Sequence, residues 1–340
     1  MKTNIMHSAV WLGAALVFLS LAAPADVLDH WTTNQASTNY FGLRCVAYGN
    51  GRYVAGGGFY DAGVLLSSED GQQWSVRCMG GSSSGLGFLD SVIYAGGRFV
   101  AVGLWGQTAV STDGINWSIG DVPYGLAPSD GFYGAAYGNG VYVAVGGPAC
   151  SADLNVFTSP DGQSWTAQHS TSPSGASLGD VAYGEACRFV AIGIGSAAGH
   201  AYTSSDGTNW TQHTIAGGTQ ISYCHGHFLI PLGPGTNLIS SDGLTWSAQR
   251  TGLTTLLGKA TYSHGSYLAR AGAALAASAD GTNWFQYPQP LPGTSTVASD
   301  GQRLVTVGND DFPFYPLFGN ACTYCGVTGI AYTGIGIASV

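Results

Sequence analysis

Charged residues are scarce in this chain, at 9% of 340 residues against roughly 25% in typical soluble domains. This scarcity excludes a charge-rich helical protein. Acidic residues outnumber basic ones by 19 to 10, which gives a net charge of -9. Because such a surface repels nucleic acid and anionic membranes, we expect neither as a partner.

Long apolar runs are absent beyond the N-terminus. There, Lys2 precedes the run AVWLGAALVFLSLAA, and a small-residue cleavage site ends at Ala25. A membrane-spanning helix is the alternative, but the run is short for spanning. The pattern predicts a signal peptide at 1–25, a single mature domain at 26–340, a secreted or periplasmic location, and no membrane contact after cleavage.

Glycine is abundant, with 53 residues, and 45% of the chain is hydrophobic, which is enough to fill a core and argues against disorder. Seven cysteines in an exported chain predict some disulfides and at least one unpaired thiol. For the CTYC motif at 322–325, a loop disulfide is favoured over a redox or zinc site, because no second CxxC or His pair accompanies it.

One short polar motif ending in tryptophan occurs six times: SSEDGQQW, STDGINW, TSPDGQSW, TSSDGTNW, SSDGLTW and SADGTNW. Their tryptophans, from Trp74 to Trp284, are 43, 48, 45, 36 and 38 residues apart. Each copy follows a hairpin pattern such as SVIYAGGRFVAVG and a third short β-rich run, and a fourth run follows the tryptophan. Four strands per 36 to 48 residues is typical of a β-propeller blade.

The aspartate of each copy is predicted to be a structural turn residue. Its carboxylate can accept hydrogen bonds from the amides that follow, and the adjacent glycine can take the positive φ of a tight turn. A repeated calcium site is the alternative, although each copy offers only one carboxylate. The six residues are Asp70, Asp113, Asp161, Asp206, Asp242 and Asp280.

These motifs make the chain resemble the Asp-box (BNR) repeat proteins, across nearly the whole mature sequence. That sialidase-like group of β-propellers includes sialidases, xyloglucan-degrading enzymes and noncatalytic assembly factors. In this chain Asp and Gly are adjacent, whereas the usual box is D-x-G, so the resemblance is to a variant of the box.

The repeats predict an all-β, seven-bladed β-propeller of four-stranded antiparallel blades. A seventh hairpin pattern, VASDGQRLVTVG, is followed by GIAYTGIGIASV without a box, while Trp31 lies 43 residues before Trp74. We therefore expect residues near 26–35 to supply the missing strand. The N-terminal strand would then pair with the C-terminal blade and close the ring.

The start of the first strand in each blade is predicted to line one mouth of the central channel. The residues in these positions differ between blades, whereas purely architectural residues should recur. The first column is assigned to Arg44, Asp90, Tyr133, Gly179, Thr219, Gly258 and Thr294. The candidate ligand-binding residues of this mouth are Arg44, Asp90, Trp105, Tyr133, Asp180, Gln220 and Lys259, with the 309–327 loop.

Trp105 is the one tryptophan that neither the signal nor the repeat explains. Beside Tyr60, Tyr133, Phe314 and Tyr315 it suits stacking on sugar rings, and packing of the loop aromatics on one another is the alternative.

Sialidase activity is not expected. Arg52, Arg98, Arg188 and Arg303 share a hairpin-turn column on the opposite face, so the arginine triad of sialidases is absent, and neither glutamate lies at the mouth. A glycoside hydrolase or polysaccharide lyase needs only a pair of carboxylates. The candidate catalytic residues are Asp61, Asp90, Asp180 and Asp310, with Asp153 and Asp311 on the same face.

No cofactor and no metal are expected, although Asp61, Asp310 and Asp311 leave a calcium site open as an alternative. The sequence favours a secreted binding module that recognises extracellular carbohydrate through its central mouth. A carbohydrate-active enzyme and a scaffold for a protein partner are the two alternatives.

Overall fold

The computed structural model describes residues 31–35, 42–59, 62–81, 86–120, 131–147, 156–168, 177–290, 294–309 and 329–335. The predicted signal peptide lies outside these ranges. The chain is an all-β propeller of four-stranded antiparallel sheets, and its one short 3-10 helix in the described ranges is Gly195–Ala197. In the same ranges, no helix has the length and apolar character to span a membrane.

Six blades each consist of four strands that follow one another in the chain. In blade 1 these are β2 (Gly42–Gly49), β3 (Arg52–Phe59), β4 (Ala62–Ser68) and β5 (Ser75–Gly81). Blade 2 contains β6 (Leu89–Ala95), β7 (Arg98–Gly103), β8 (Thr108–Ser111) and β9 (Ser118–Ile119). Blade 3 contains β10 (Gly131–Gly138), β11 (Val141–Gly147), β12 (Val156–Ser159) and β13 (Thr166–Gln168).

The next three blades repeat this order. Blade 4 contains β14 (Ser177–Gly184), β15 (Arg188–Ile194), β16 (His200–Ser204) and β17 (Thr211–Thr214). Blade 5 contains β18 (Ser222–Cys224), β19 (His227–Gly233), β20 (Thr236–Ser240) and β21 (Ser247–Arg250). Blade 6 contains β22 (Leu257–Ser263), β23 (Ser266–Ala271), β24 (Ala274–Ser278) and β25 (Phe285–Pro290).

The remaining strands form a sheet of a different kind. Here β26 (Thr294–Ser299) and β27 (Arg303–Asn309) form a hairpin, and backbone pairing adds β28 (Gly329–Ile335) and β1 (Trp31–Gln35). Trp31 lies opposite Gly334 in this pairing. The four strands are not consecutive in the chain, and no Ser-x-Asp-Gly motif follows β28.

This finding corrects the predicted count of seven blades, because the chain forms six complete blades of the repeating kind. Closure of the ring by the N-terminal strand is likewise not shown. The β26–β27 hairpin contacts both neighbouring blades through its side chains. Its Val305 packs with Leu43 and Val46 of blade 1, and its Leu304 packs with Leu268 of blade 6.

Hydrophobic clusters between neighbouring blades form the core. The second strand of each blade contributes a large, fully buried aromatic ring near its start, namely Tyr53, Phe99, Tyr142, Phe189, Phe228 and Tyr267. Where this residue is tyrosine, its hydroxyl donates to a backbone carbonyl of the preceding sheet. Tyr142 donates to Ala95 at 2.6 Å, and Tyr267 donates to His225 at 3.3 Å.

The Ser-x-Asp-Gly turns all have the same hydrogen-bond pattern. In the copy at 159–162, Asp161 Oδ1 accepts from the amides of Gln163 and Ser164 at 2.9 Å. The Ser159 hydroxyl donates to the same oxygen at 3.0 Å and accepts from the Gly162 amide at 2.8 Å. The serine is therefore part of the turn, a role that the Asp-Gly pattern alone does not reveal.

These turns should make stability depend on acid. Hydrogen bonds from the Asn116 and Ile115 amides hold the pKa of Asp113 well below its ordinary range. At Asp242, the Thr245 hydroxyl and amide have the same effect on the pKa. A carboxyl with a lowered folded-state pKa stabilises the fold above the unfolded-state pKa of about 3.9, and this stabilisation is lost as pH falls through the folded-state pKa.

We therefore expect the Tm to fall steeply below about pH 4, measured by thermal melts between about pH 6 and about pH 2. Asp113→Asn should show a lower Tm near neutral pH and a smaller drop in acid, because it lacks one of the titrating carboxylates. An equal drop in both proteins would contradict this account.

The four cysteines within the described ranges, Cys45, Cys78, Cys187 and Cys224, are free thiols. Cys45 and Cys78 lie in the same transverse row of blade 1, separated by Gly56 and Leu65 on the intervening strands. Three strand spacings separate them by about 14 Å, which is too far for a bond. Cys150, Cys322 and Cys325, and with them the predicted CTYC disulfide, lie outside the described residues.

Candidate functional site

The first strand of nearly every sheet begins with a β-bulge. The register shifts between Leu43 and Cys45 in β2, and the same irregularity occurs at the start of β6, β10, β14, β22 and β26. A bulge re-aims the side chain that it leaves unpaired. This geometry places Arg44, Asp90 and Tyr133 of the predicted mouth in equivalent positions. The pairing also puts Ser295, not Thr294, in this column.

Arg44 lies on the blade 1 side of the predicted mouth and contacts blade 2. Its Nη1 donates to Asp90 Oδ1 of blade 2 at 2.7 Å, and its guanidinium carbon lies 4.7 Å from the ring centroid of Phe88. The Arg44 side chain remains 52% exposed, whereas that of Asp90 is 11% exposed. Burial raises the pKa of Asp90, and the nearby guanidinium lowers it in part.

Asp180 joins several blades at the other side of the mouth. Its side chain is 2% exposed, and its Oδ1 accepts from Lys259 Nζ of blade 6 at 2.7 Å. The same oxygen accepts from the Val181 amide at 2.9 Å, and Oδ2 accepts from the Ile221 amide in blade 5 at 2.9 Å. On the blade 3 side, a Cβ on Gly134 would lie 2.5 Å from Oδ1. This carboxylate therefore needs glycine beside it.

The thiol of Cys45 lies near both ion pairs, since the charges of Asp90, Lys259 and Arg44 all act on it. Burial raises its pKa far above its ordinary value, with a smaller contribution from Asp90. The thiol is 3.5 Å from the Gly56 carbonyl oxygen, to which it donates. Cys45 is therefore a buried apolar contact rather than a nucleophile.

Trp105 forms the tip of the turn between the second and third strands of blade 2. Its φ of 59° is followed by a φ of 68° at Gly106, so both residues are in the left-handed region. The half-buried indole packs over Gly87, where an added Cβ would come within 2.6 Å of its Cε3. Because Phe88 follows Gly87, the segment that packs against the indole also carries the ring that contacts Arg44.

The two remaining candidates lie beside residues of the Asp180 network. Tyr133 is half-buried, and its ring is close to Gly147 of the same blade. Gln220 is exposed and directly precedes Ile221. The structure therefore brings the predicted mouth residues into two groups, one around Asp180 and one around Arg44 and Trp105.

Several predicted residues lie outside the described ranges, and the structure gives no position for them. They are Tyr60, Asp61, Asp153, Asp310, Asp311, Phe314, Tyr315 and residues 310–327 of the long loop. Asp61 and Asp310 are two of the four candidate catalytic residues, and the other two, Asp90 and Asp180, each form an ion pair. Within the part of the chain that the structure describes, the mouth therefore holds no unpaired carboxylates of the kind that glycoside hydrolysis needs.

The arginines of the hairpin-turn column lie on the opposite face, which we call the turn face. Three of them donate to the carbonyl of a Ser-x-Asp-Gly aspartate in the next blade, at 3.0 Å from Arg98, 2.6 Å from Arg188 and 3.2 Å from Arg303. Arg52 pairs instead with Glu69 of its own blade at 2.6 Å. Arg98, Arg188 and Arg303 therefore link neighbouring blades, and the four arginines are spread over separate sheets rather than gathered in a carboxylate-binding triad. No group of three potential metal ligands exists among the described residues.

Phe88 and Gln107 are two residues near the mouth that the sequence patterns missed. Phe88 lies under the Arg44 guanidinium, and Gln107 is a buried polar side chain two residues after Trp105. Neither belongs to the first-strand column from which most of the mouth candidates were predicted.

Comparisons with known proteins support the fold. The chain matches no protein-family model and no curated protein, so membership of the Asp-box family stays a prediction. Among solved structures it is similar to the β-propeller YCF48 bound to D1 peptide, with a TM-score of 0.64, 17% identity, and coverage of 92% of this chain and 99% of that one. It is also similar to virginiamycin B lyase from Staphylococcus aureus, with a TM-score of 0.68, 7% identity, and coverage of 90% and 99%.

A third neighbour is PorZ, a surface component of the type-IX secretion system of Porphyromonas gingivalis. Its TM-score is 0.54 and its identity 11%, over 81% of this chain and 36% of that one. At these identities the likeness shows a β-propeller fold and does not show a function.

Proposed function

We propose that the chain is a noncatalytic binding module that acts outside the cytoplasm and recognises carbohydrate at its mouth. The observation that supports this most is the composition of the Arg44 group. It combines a half-exposed guanidinium, the Phe88 ring beneath it and the Trp105 indole nearby, while Asp90 is neutralised by Arg44. Aromatic rings of this kind pack against the apolar C–H faces of sugar rings, and a guanidinium stacks on aromatic groups.

The two ion pairs favour binding over turnover. A general acid and a second carboxylate must both be available to a glycosidic bond. Asp180 is held by two amides and Lys259, and Asp90 by Arg44, so neither is free to take these roles. An enzyme would have to rely on residues such as Asp61 and Asp310.

The test is retention of the mature protein on a panel of insoluble and immobilised polysaccharides. Wild type should be retained on at least one of them. Trp105→Ala should lower the affinity roughly tenfold or more, because burial of a large apolar side chain contributes about 1.5–3 kcal/mol. Phe285→Ala is the matched control, because Phe285 is an aromatic residue that is 52% exposed on an outer strand. Its retention should equal that of wild type.

Peptide binding is a second candidate, favoured by the likeness to YCF48 bound to D1 peptide. The exposed Arg44 guanidinium suits a peptide carboxylate as well as a sugar acid. Wild type that is retained by an array of immobilised short peptides, and by no polysaccharide, would reject the carbohydrate proposal in favour of this one.

A further inference from the structure

Gln107 is a polar side chain that is buried without a complete set of partners. Its residue is 4% exposed, and its Oε1 has no hydrogen-bond donor within the described residues. Its backbone is fixed, since its carbonyl accepts from the Gly103 amide at 3.0 Å and its amide donates to the Leu104 carbonyl at 3.3 Å. A buried acceptor in this state is unfavourable, so it requires a physical explanation.

The Trp105 indole and the Gln107 amide lie against the same glycine. A Cβ built on Gly87 would come within 2.6 Å of Trp105 Cε3 and within 2.8 Å of Gln107 Oε1. The indole and the acceptor therefore lie side by side over Gly87. Any larger residue at position 87 would displace both groups.

Trp105 is also held in a backbone conformation that bulky residues rarely adopt, with a φ of 59°. A glycine or asparagine would form the same turn at lower free energy. The other left-handed residues that are not glycine, Asn50, Asn139, Cys187, His225 and His264, lie in the first hairpin turns of their blades. Trp105 alone among these six is in the turn after the second strand.

We infer that Trp105 and Gln107 form one sugar subsite, which rests on the function proposed above. The indole moves off Gly87 and stacks on a face of the sugar ring. Gln107 Oε1 then accepts a hydrogen bond from a hydroxyl of that ring. The ligand supplies the missing donor, and the subsite is specific for a free hydroxyl at that position.

Isothermal titration with cellohexaose, xylohexaose and chitohexaose tests this inference on the whole mature protein. We expect at least one of them to bind wild type. Gln107→Leu, which keeps the side-chain size and removes the acceptor, should weaken that binding about tenfold. Its Tm without sugar should equal or exceed that of wild type, because the buried unpaired oxygen is gone. Gln212→Leu is the matched control, since Gln212 is exposed on β17.

Three results would overturn the inference. If Gln107→Leu binds like wild type while Trp105→Ala does not, the acceptor role is wrong and the proposed function stands. If Gln107→Leu melts well below wild type, Gln107 is a structural residue. If wild type binds none of the sugars, the inference and the carbohydrate proposal fail together.

A second variant keeps the test valid if Gln107→Leu does not fold. Gly87→Ala shifts Gln107 Oε1, which would lie 2.8 Å from the new Cβ, without removing the acceptor. It should weaken binding of the same sugar, and partially O-methylated sugar should bind wild type more weakly than the free sugar. Unchanged binding in both experiments would overturn the subsite.

Discussion

Replacing Asp180 by alanine is expected to lower the free energy of unfolding by about 3 kcal/mol. The carboxylate is buried and accepts hydrogen bonds from the Val181 and Ile221 amides and from Lys259. Its removal leaves two buried amides and one ammonium group without their acceptor. This loss of stability is at the lower end of the range for breaking a buried ion pair, because the Lys259 side chain is 31% exposed and can turn toward water.

Urea unfolding at neutral pH measures this loss, and Asp90→Ala is the matched comparison. Asp90 also forms an ion pair with a cation from another blade, but Arg44 is half-exposed. We therefore expect Asp90→Ala to cost only about 1 kcal/mol. Equal losses in the two variants would contradict the role assigned to Asp180. Adding Lys259→Met to Asp180→Ala should restore part of the stability, because it removes the unpaired charge.

Gly162→Ala should lower the free energy of unfolding by about 3 kcal/mol, the sum of a backbone and a packing effect. Gly162 has a φ of 74°, which costs a residue with a Cβ about 1–2 kcal/mol. The new Cβ would also lie 2.5 Å from Cγ2 of Val100, which is fully buried between blades 2 and 3. Relief of such a clash costs about 1–3 kcal/mol in a well-packed core.

Gly281→Ala separates the two effects. Gly281 occupies the same position in the last Ser-x-Asp-Gly turn, with a φ of 76°. There the nearest atoms to a new Cβ are 3.5 Å away on the Tyr267 ring, which is an ordinary contact. Only the backbone cost of about 1 kcal/mol should remain. Thermal or urea unfolding of both variants checks the difference, and equal losses would show that packing against Val100 is not limiting.

The parts of the fold that follow from local chemistry are readable in the sequence. Asp161, Gly162 and Trp165 identify a tight turn that is repeated along the chain, and the spacing of the repeats predicts a β-propeller. The serine at position 159 is in the same motif, yet its role depends on a side-chain geometry that composition does not encode. The glycines beside buried rings and carboxylates, such as Gly134, become meaningful only when the neighbouring blade is in place.

The site was less predictable because it depends on the curvature of the ring. Asp180 and Lys259 are 79 residues apart, and their contact passes over blade 5. No spacing rule relates them, although both were candidates for the mouth. A bulge moves one residue out of register, which is why Ser295 and not Thr294 occupies the column of Arg44. Phe88 and Gln107 lie outside the first-strand column, so the comparison of that column between repeats could not find them.

The number of blades was also only partly predictable. The periodicity of the sequence predicts the number of repeats, but not that each repeat will form a sheet of the same kind. The hairpin pattern at 297–308 was recognised, and it does pack between blades 1 and 6. The sheet to which it belongs takes its outer strand, β1, from the opposite end of the chain, so the regular blades number six.

Hydrogen bonds on the turn face join neighbouring sheets of the propeller. Arg98, Arg188 and Arg303 reach forward to the next blade, while Tyr142 and Tyr267 reach back to the preceding sheet. These bonds resist separation of the blades that they join. At the mouth, the Arg44–Asp90 and Asp180–Lys259 ion pairs also join blades. Mouth side chains outside these pairs, such as Trp105 and Gln220, can therefore be changed without breaking the hydrogen bonds on the turn face.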